Sequence, residues 1–355
     1  MSVLILALAV AVLLGMEKFY APWILKKLNV KQDCDCEMAE PDQKILWNAT
    51  VENRNRLPVP FVRLRQTFPD LMRFHGQQPW LEAHCQKGIQ QWYEEETMAL
   101  YPRKSCTRSF RVSFPNRGEY FLGNYQLSAG DLLGFREVRR AGEGKRIVVI
   151  PRRSENRTNL DALGGFLGDI SVRRFILEDP ILTVGFRDYT GREPMKAISW
   201  TRTATAGKMQ VKQYDYTAEQ HVMILLNVEG GSADSLEECF RLMRTACEEL
   251  EHKKIPFGLR TNGNLPGPVD NLFWMAEGLG GRHLNTILYS LGMADGTCFH
   301  SFRYLVSQTL RYRKNDESYI VIAPKESEEL LGLIRQLEAH SGNRILTLYG
   351  EVKQP

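Results

Sequence analysis

Apolar and polar residues alternate with a period of two through the first part of the chain. The run KILWNATVENRNRLPVPFVRLRQTFP (44–69) does so around a turn-rich centre. The run from 105 to 140 repeats the pattern, with Phe110, Val112 and Phe114, a turn at Asn116-Arg117-Gly118, then Tyr120 and Leu122. RIVVIP (146–151) closes it. Short strands with turn signals about every ten residues predict a β-sandwich over residues 32–150. Trp80 and Trp92 read as part of its core.

The period changes further on. HVMILLNVE (221–229) reads as a buried strand, and SLEECFRLMRTACEELEHKK (235–254) places Leu236, Phe240, Met243 and Cys247 on one helical face with Leu250 beside them. IPFGLRTN (255–262) reads as a strand closed by a turn at Asn262-Gly263. Helix, strand, helix and strand follow at 299–314, 318–324, 325–341 and 344–350. Strands alternating with amphipathic helices predict a parallel, doubly wound α/β domain over 217–355. The region between, 151–216, is irregular. NLDALGGFLGD (159–169) looks like a short helix ended by glycine, and KMQVKQYDY (208–216) like a strand. Internal repeats and low-complexity tracts are absent from the sequence.

The first residues have their own pattern. SVLILALAVAVLLGM (2–16) carries no charge, Glu17 and Lys18 follow, then FYAPWIL (19–25). A membrane span needs ~20 residues, and Phe19, Tyr20 and Trp23 suit an interfacial aromatic belt. A cleaved signal peptide would want positive charge ahead of the apolar run, but Lys18, Lys26, Lys27 and Lys31 all come after its start. Residues 1–27 are therefore expected to be a single transmembrane anchor. The positive-inside rule puts the amino terminus outside and the other domains in the cytoplasm. The expected fold class is α+β multidomain: transmembrane helix, β-sandwich, a 151–216 linker region, then the α/β domain.

Composition changes little in this picture. A charged fraction of 25% and a hydrophobic fraction of 43% are those of a globular protein. The net charge of +4 is mild and its basic residues are interleaved with acidic ones, so nucleic acid is not an expected partner. The seven cysteines (34, 36, 85, 106, 239, 247 and 298) show no C-x-x-C spacing. Cys34-Asp35-Cys36 is too tight for an ordinary metal knuckle, so the thiols read as free, in a reducing compartment.

Catalytic motifs are missing. AGEGKR (141–146) puts Arg139 and Arg146 where a phosphate loop needs glycine and Ser or Thr. GGFLGD lacks the preceding strand of a dinucleotide site. No G-x-S-x-G elbow occurs, and the seven histidines lack paired spacing. An enzyme is not expected.

The carboxyl end of the first α/β strand is where such sheets bind ligands, and a hard cation there needs converging oxygens. The von Willebrand factor A fold carries D-x-S-x-S at this point; here the letters are Asn227, Glu229 and Gly231. An amide replaces the carboxylate, a glutamate the first serine and a glycine the second. Ser232, Asp234 and Ser235 lie near enough to substitute, but Asp234, Ser235 and Glu238 read more simply as a helix N-terminus with an acidic first turn. The metal site is read as degenerate, with no divalent cation and no other cofactor expected.

RDYTGREPMKAISWTRTATA (187–206) is too polar for a core strand and too broken by Gly191 and Pro194 for one helix. With the apolar strand after it, this segment resembles the signature of the bacterial domain-of-unknown-function family 58, similar to Y-x-x-G-D-x-x-R-x-I-x-W-x-x-[ST]-A-R ahead of a von Willebrand A-like domain. Tyr189, Ile198, Trp200, Thr203 and Ala204 match at the same spacing, and Glu193 and Lys196 keep the charge of the family's aspartate and arginine. Arg192 and Thr205 depart from it. Upstream, Arg117, Gly118, Tyr120, Asp131, Gly134 and Phe135 resemble a second family stretch, and residues 51–69 the family's sandwich. Many relatives begin with two membrane helices; this chain shows one.

The resemblance implies a membrane-associated protein-binding scaffold or adaptor working beside a MoxR-type AAA+ ATPase, with the membrane and that ATPase as partners. An envelope-facing adhesin-like or wall-associated binding protein is the alternative, and an unrecognised hydrolase a third reading. The signature strip alternates Asp188 and Glu193 with Arg187, Arg192, Lys196 and Arg202. Exposed ion pairs contribute only ~0–1 kcal/mol each, whereas burying a large apolar side chain contributes roughly 1.5–3 kcal/mol. Trp200 is therefore expected to pin the segment, either clamping two domains or presenting a docking surface. Paired carboxylates without a histidine give a catalytic loop less support.

Overall fold

The computed structural model describes residues 23–76, 85–87, 91–130, 137–174, 178–191, 193–216, 221–265, 273–313, 317–341 and 344–351. The chain divides into two compact units, Met1–Arg152 and Arg153–Pro355.

The first unit contains β1 (Leu28–Cys34), β2 (Met38–Ala39), β3 (Ile45–Asn53), β4 (Val59–Pro69), β5 (Arg73–His75), β6 (Cys85–Lys87), β7 (Gln91–Leu100), β8 (Ser105–Ser113), β9 (Gly118–Leu122), β10 (Asn124–Gly130), β11 (Glu137–Gly142) and β12 (Lys145–Val149). Three sheets result, ordered β1-β3-β8-β5, β11-β10-β4-β7-β6 and β2-β12-β9. The period-two alternation is the cause: every second residue of β3, from Ile45 through Trp47, Ala49 and Val51 to Asn53, is buried. Trp47, Phe68 and Phe110 interlock edge-on, with centroids 6.0 and 5.5 Å apart. Trp92 packs partly buried on the same cluster and donates to the Asp70 carbonyl. Trp80 lies outside the described residues, as do Asp131, Gly134, Phe135 and Arg192.

A buried polar chain runs through this unit. Gln66 Oε1 accepts from Trp47 Nε1 at 3.2 Å and from Gln32 Nε2 at 3.1 Å, and Gln66 Nε2 donates to Glu94 Oε2 at 2.7 Å. Glu94 Oε1 is buried without a partner. Burial pushes this carboxyl up to about 7.

The expected fold class needs correction here. Residues 23–27 are helical, and Ile24 and Leu25 are buried in a cluster with Val51, Val59 and Leu64. Side chains committed to a protein core do not face lipid, so the anchor cannot extend over 1–27 as expected. Among the described residues no helix is long and apolar enough to cross a membrane. Residues 1–22, where the rest of that expectation falls, lie outside the described residues. The single-pass cell-membrane placement and the cytoplasmic orientation lose their structural basis with it.

The second unit contains α1 (Arg157–Arg174), β13 (Glu178–Asp188), α2 (Trp200–Ala206), β14 (Gln210–Tyr216), β15 (His221–Leu226), α3 (Ala233–His252), β16 (Phe257–Thr261), β17 (Phe273–Gly278), α4 (Gly281–Met293), α5 (Phe302–Arg311), β18 (Glu317–Ala323), α6 (Glu328–Ser341) and β19 (Ile345–Tyr349). Its sheet is ordered β17-β16-β15-β18-β19. β16, β15, β18 and β19 run parallel. β17 is an antiparallel edge. β13 and β14 form a separate antiparallel ribbon. The expectation of a parallel, von Willebrand A-like doubly wound domain behind a membrane helix is corrected on these points: the sheet is mixed, a ribbon lies outside it, and among the described residues strands prevail over helices. α1 is also longer than expected, because Gly164, Gly165 and Gly168 lie within it rather than ending it.

Met223 and Leu225 of β15 and Tyr319 and Val321 of β18 pack with Phe302 and Leu305 of α5 and Leu333 and Leu337 of α6. A buried ion pair joins Arg260 to Glu317 at 3.5 Å, Tyr319 Oη donates to Glu317 Oε2 at 2.6 Å, and the guanidinium lies 4.0 Å from the Trp274 ring centroid.

Candidate functional site: the sheet mouth and the signature segment

At the mouth of the C-terminal sheet, Asn227 follows β15. Its Oδ1 accepts from Asn262 Nδ2 at 2.8 Å and from the Glu229 amide at 3.0 Å. Asn262 Oδ1 accepts from the Val228 amide at 2.9 Å. Thr261 Oγ1 donates to the Leu226 carbonyl at 2.7 Å and accepts from the Gly263 amide at 3.0 Å. The three substitutions read from the sequence thus each have a structural task. Asn227 ties the ends of two strands together. Glu229 Oε2 accepts from the Phe302 amide at 2.8 Å, in the first turn of α5, where a carboxylate complements the helix dipole. At Gly231 a Cβ would meet Leu236 Cδ2 at 2.7 Å and Pro324 Cγ at 2.8 Å, so glycine is required for packing.

Ser232 is the N-cap of α3. Its Oγ accepts from the Ser235 amide at 3.2 Å and donates to Ser235 Oγ at 3.0 Å. Asp234 occupies the first turn. An amide oxygen already holding two donors, and a carboxylate already capping a helix, offer a hard cation weak ligands.

The signature segment closes the ribbon of β13 and β14. Arg187 pairs in register with Val211 and Asp188 with Gln210. Asp188 Oδ1 accepts from Gln210 Nε2. The Tyr189 amide donates to the Met209 carbonyl at 2.9 Å. Glu193 is the hub of the turn: Oε1 accepts from Thr190 Oγ1 at 2.7 Å and pairs with Arg187 at 2.6 Å, and Oε2 accepts from the Thr190 amide at 3.1 Å. The Thr190 hydroxyl foremost, and then Arg187, hold its carboxyl down at about 2. Lys196 is exposed on a 3₁₀ turn, Met195–Ala197.

The pin is not Trp200. That side chain is 60% exposed. The segment is held by smaller residues: Ile198 is buried and bridges Val211, and the Ser199 amide donates to the Gln210 carbonyl at 2.8 Å. Thr203 Oγ1 donates to the Ser199 carbonyl at 2.8 Å and accepts from the Gln210 amide at 3.0 Å. Gly207, with φ 67°, ends α2 in the left-handed region. Ala204 is exposed. The structure therefore brings Arg187, Glu193, Ile198 and Thr203 into the internal frame of the segment and turns Lys196, Trp200 and Ala204 outward.

Three further large apolar side chains of this short segment are exposed: Phe186, Met195 and Met209. The Arg202 guanidinium lies 5.0 Å from the Phe186 ring centroid. These residues were not singled out from the sequence. Their signal was apolar letters within a stretch already too polar to be core.

A cavity of about 540 Å3 opens beside the starts of α1 and α6, lined by Asn156, Asn159, Glu326, Glu328, Tyr349 and Glu351 among others. Its lining carries carboxylates, amides and hydroxyls but no histidine or cysteine.

No family model matches the chain, and no curated protein matches it. Among solved structures, a non-cellulosomal cohesin from Archaeoglobus fulgidus is similar at 13% identity over 38% of this chain and 97% of that one, with a TM-score of 0.25. A CARDB domain from Pyrococcus furiosus is similar at 12% identity, over 35% of this chain and 90% of its own, with a TM-score of 0.22. The chitin-binding domain of Chi18aC from Streptomyces coelicolor is similar at 14% identity, over 30% and 93%, with a TM-score of 0.22. None of these three is a von Willebrand A domain, and overlaps at these TM-scores assign the chain neither a fold family nor an activity.

Proposed function

We propose that this chain is a protein-binding scaffold or adaptor that docks its partner on the 186–209 segment. One observation carries the reading: Phe186, Met195, Trp200 and Met209 are held outward by an internally bonded frame. Ordering such a loop costs conformational entropy. Binding gains when that cost is met before the partner arrives. Exposed Trp in a rigid setting is the kind of residue that dominates interface energetics. Lys196 and Arg202 beside it fit a partner face with an apolar hollow rimmed by carboxylates. The resemblance to family 58 supplies the partner for this reading, a MoxR-type AAA+ ATPase.

A hydrolase built on Asp188, Glu193 and Lys196 has less support. A carboxyl held near 2 and already ion-paired is a poor general base or acid at neutral pH.

The experiment is a binding titration of the full chain against a purified MoxR-type ATPase, followed by calorimetry. Wild type should bind, and Trp200→Ala should weaken binding at least tenfold, about 1.4 kcal/mol. Equal affinity of the variant would remove the segment from the interface. No binding by wild type would remove the ATPase as partner.

A further inference from the structure

β1 ends at Cys34 and β2 begins at Met38. In a continuous strand the side chain of Asp35 would point away from those of Cys34 and Cys36. The chain instead bends at Asp35 and Glu37. Cys34 Sγ, Cys36 Sγ and an Asp35 carboxylate oxygen consequently lie within 4.8 Å of one another, and Cys34 Sγ is 3.8 Å from Asp35 Oδ1. Zinc takes sulfur at about 2.3 Å and carboxylate oxygen at about 2.0 Å in tetrahedral sites, which sets neighbouring ligand atoms roughly 3.5–3.8 Å apart. The observed spacing is within a small side-chain rotation of that geometry. The bend, rather than the spacing along the sequence, brings the three ligand atoms together.

The backbone around the triplet is fixed on both sides. Cys34 pairs with Trp47, and the Asp35 amide donates to the Leu46 carbonyl at 3.4 Å. The Glu37 carbonyl accepts from the Val148 amide at 3.0 Å, and Met38 pairs with Val148. Both sulfurs rest on the aromatic core cluster, while Asp35 is exposed. One side of the triplet is thus apolar and ordered, and the other is open to solvent.

We propose that Cys34, Asp35 and Cys36 form a three-ligand site for a thiophilic divalent cation of the zinc class, with solvent in the fourth position. Two thiolates and one carboxylate suit zinc better than calcium or magnesium, which prefer oxygen alone. A dication bound among them would displace the thiol protons. The site lies in the N-terminal unit and is independent of the docking segment.

The test uses the full chain, reduced and stripped of metal, titrated with zinc against a chromophoric chelator. Cadmium titration reads thiolate ligation through the ultraviolet sulfur-to-metal band. Wild type should take up one equivalent of zinc with two thiolates bound to cadmium. Cys34→Ser and Cys36→Ser should each weaken zinc at least a hundredfold, and Asp35→Asn about tenfold, while Cys85→Ser, Cys106→Ser and Cys298→Ser leave it unchanged. Melting curves of the metal-free variants separate loss of the site from loss of the fold, and Asp35→Asn serves where a cysteine variant does not fold. Zinc uptake that is absent from wild type, or that survives in both cysteine variants, overturns the proposal.

Discussion

The sheet mouth and the 186–209 segment belong to one unit but use their side chains in opposite ways. At the mouth, polar groups face each other: Asn227 with Asn262, Glu229 with the start of α5, Ser232 with Ser235. In the segment, polar groups such as Glu193 and Thr203 make the inner frame, and the large apolar groups face water. At the carboxyl ends of β15 and β16, Asn227 and Asn262 join two loops. The 186–209 segment, which presents Phe186, Met195, Trp200 and Met209 to water, is an excursion outside the sheet. Position in a fold does not by itself locate a site.

Substitutions can break this contrast. Asn262→Ala should have the largest effect, since it strands the Val228 amide, at roughly 1–3 kcal/mol, and removes one of the two donors to Asn227 Oδ1, a hydrogen bond of about 1 kcal/mol; a loss of about 3 kcal/mol is expected, read by denaturant unfolding. Gly231→Ala should follow, at roughly 1–3 kcal/mol of overpacking against Leu236 and Pro324. Neither should alter partner affinity in the fraction that remains folded. Trp200→Ala should do the reverse, changing stability by under about 0.5 kcal/mol while weakening binding. A Trp200 variant that unfolds the unit would mean the side chain is structural after all.

The subtlest effect belongs to acid. Glu193 is held at about 2 in the folded chain, below its ordinary 4.5. Its contribution is complete above the unfolded value and disappears as pH falls through the folded one. Amide exchange within 189–199 should therefore stay slow at pH 5 and quicken between about 4 and 2, and Glu193→Gln should abolish that dependence.

Parts of this were legible in the letters. The alternation of 44–69 gives β3 and β4 their buried faces, and Trp47 lies where that alternation puts it. Other parts depend on contacts that distance along the chain hides. Asn227 visibly departs from D-x-S-x-S, but the partner that gives the change meaning, Asn262, is thirty-five residues away. Ile24 and Leu25 are apolar whether they meet lipid or a sandwich core, and only the packing with Val51 and Leu64 decides. The size of Trp200 suggested burial, but the smaller Ile198 occupies the interior because its backbone is the part that bridges Val211. The edge strand β17 is not legible in the sequence, because FWMAEG is too short to show a period.

Glu94 gives the first unit a different relation to its surroundings. A carboxyl that ionises near 7 when folded and near 4.5 when unfolded binds its proton more tightly in the native chain. That preference is fully present below about 4.5 and disappears as the solution passes upward through 7, a swing on the order of 3 kcal/mol. The sandwich should accordingly tolerate mild acid better than mild alkali, and a neutral amide in place of Glu94 would flatten that slope.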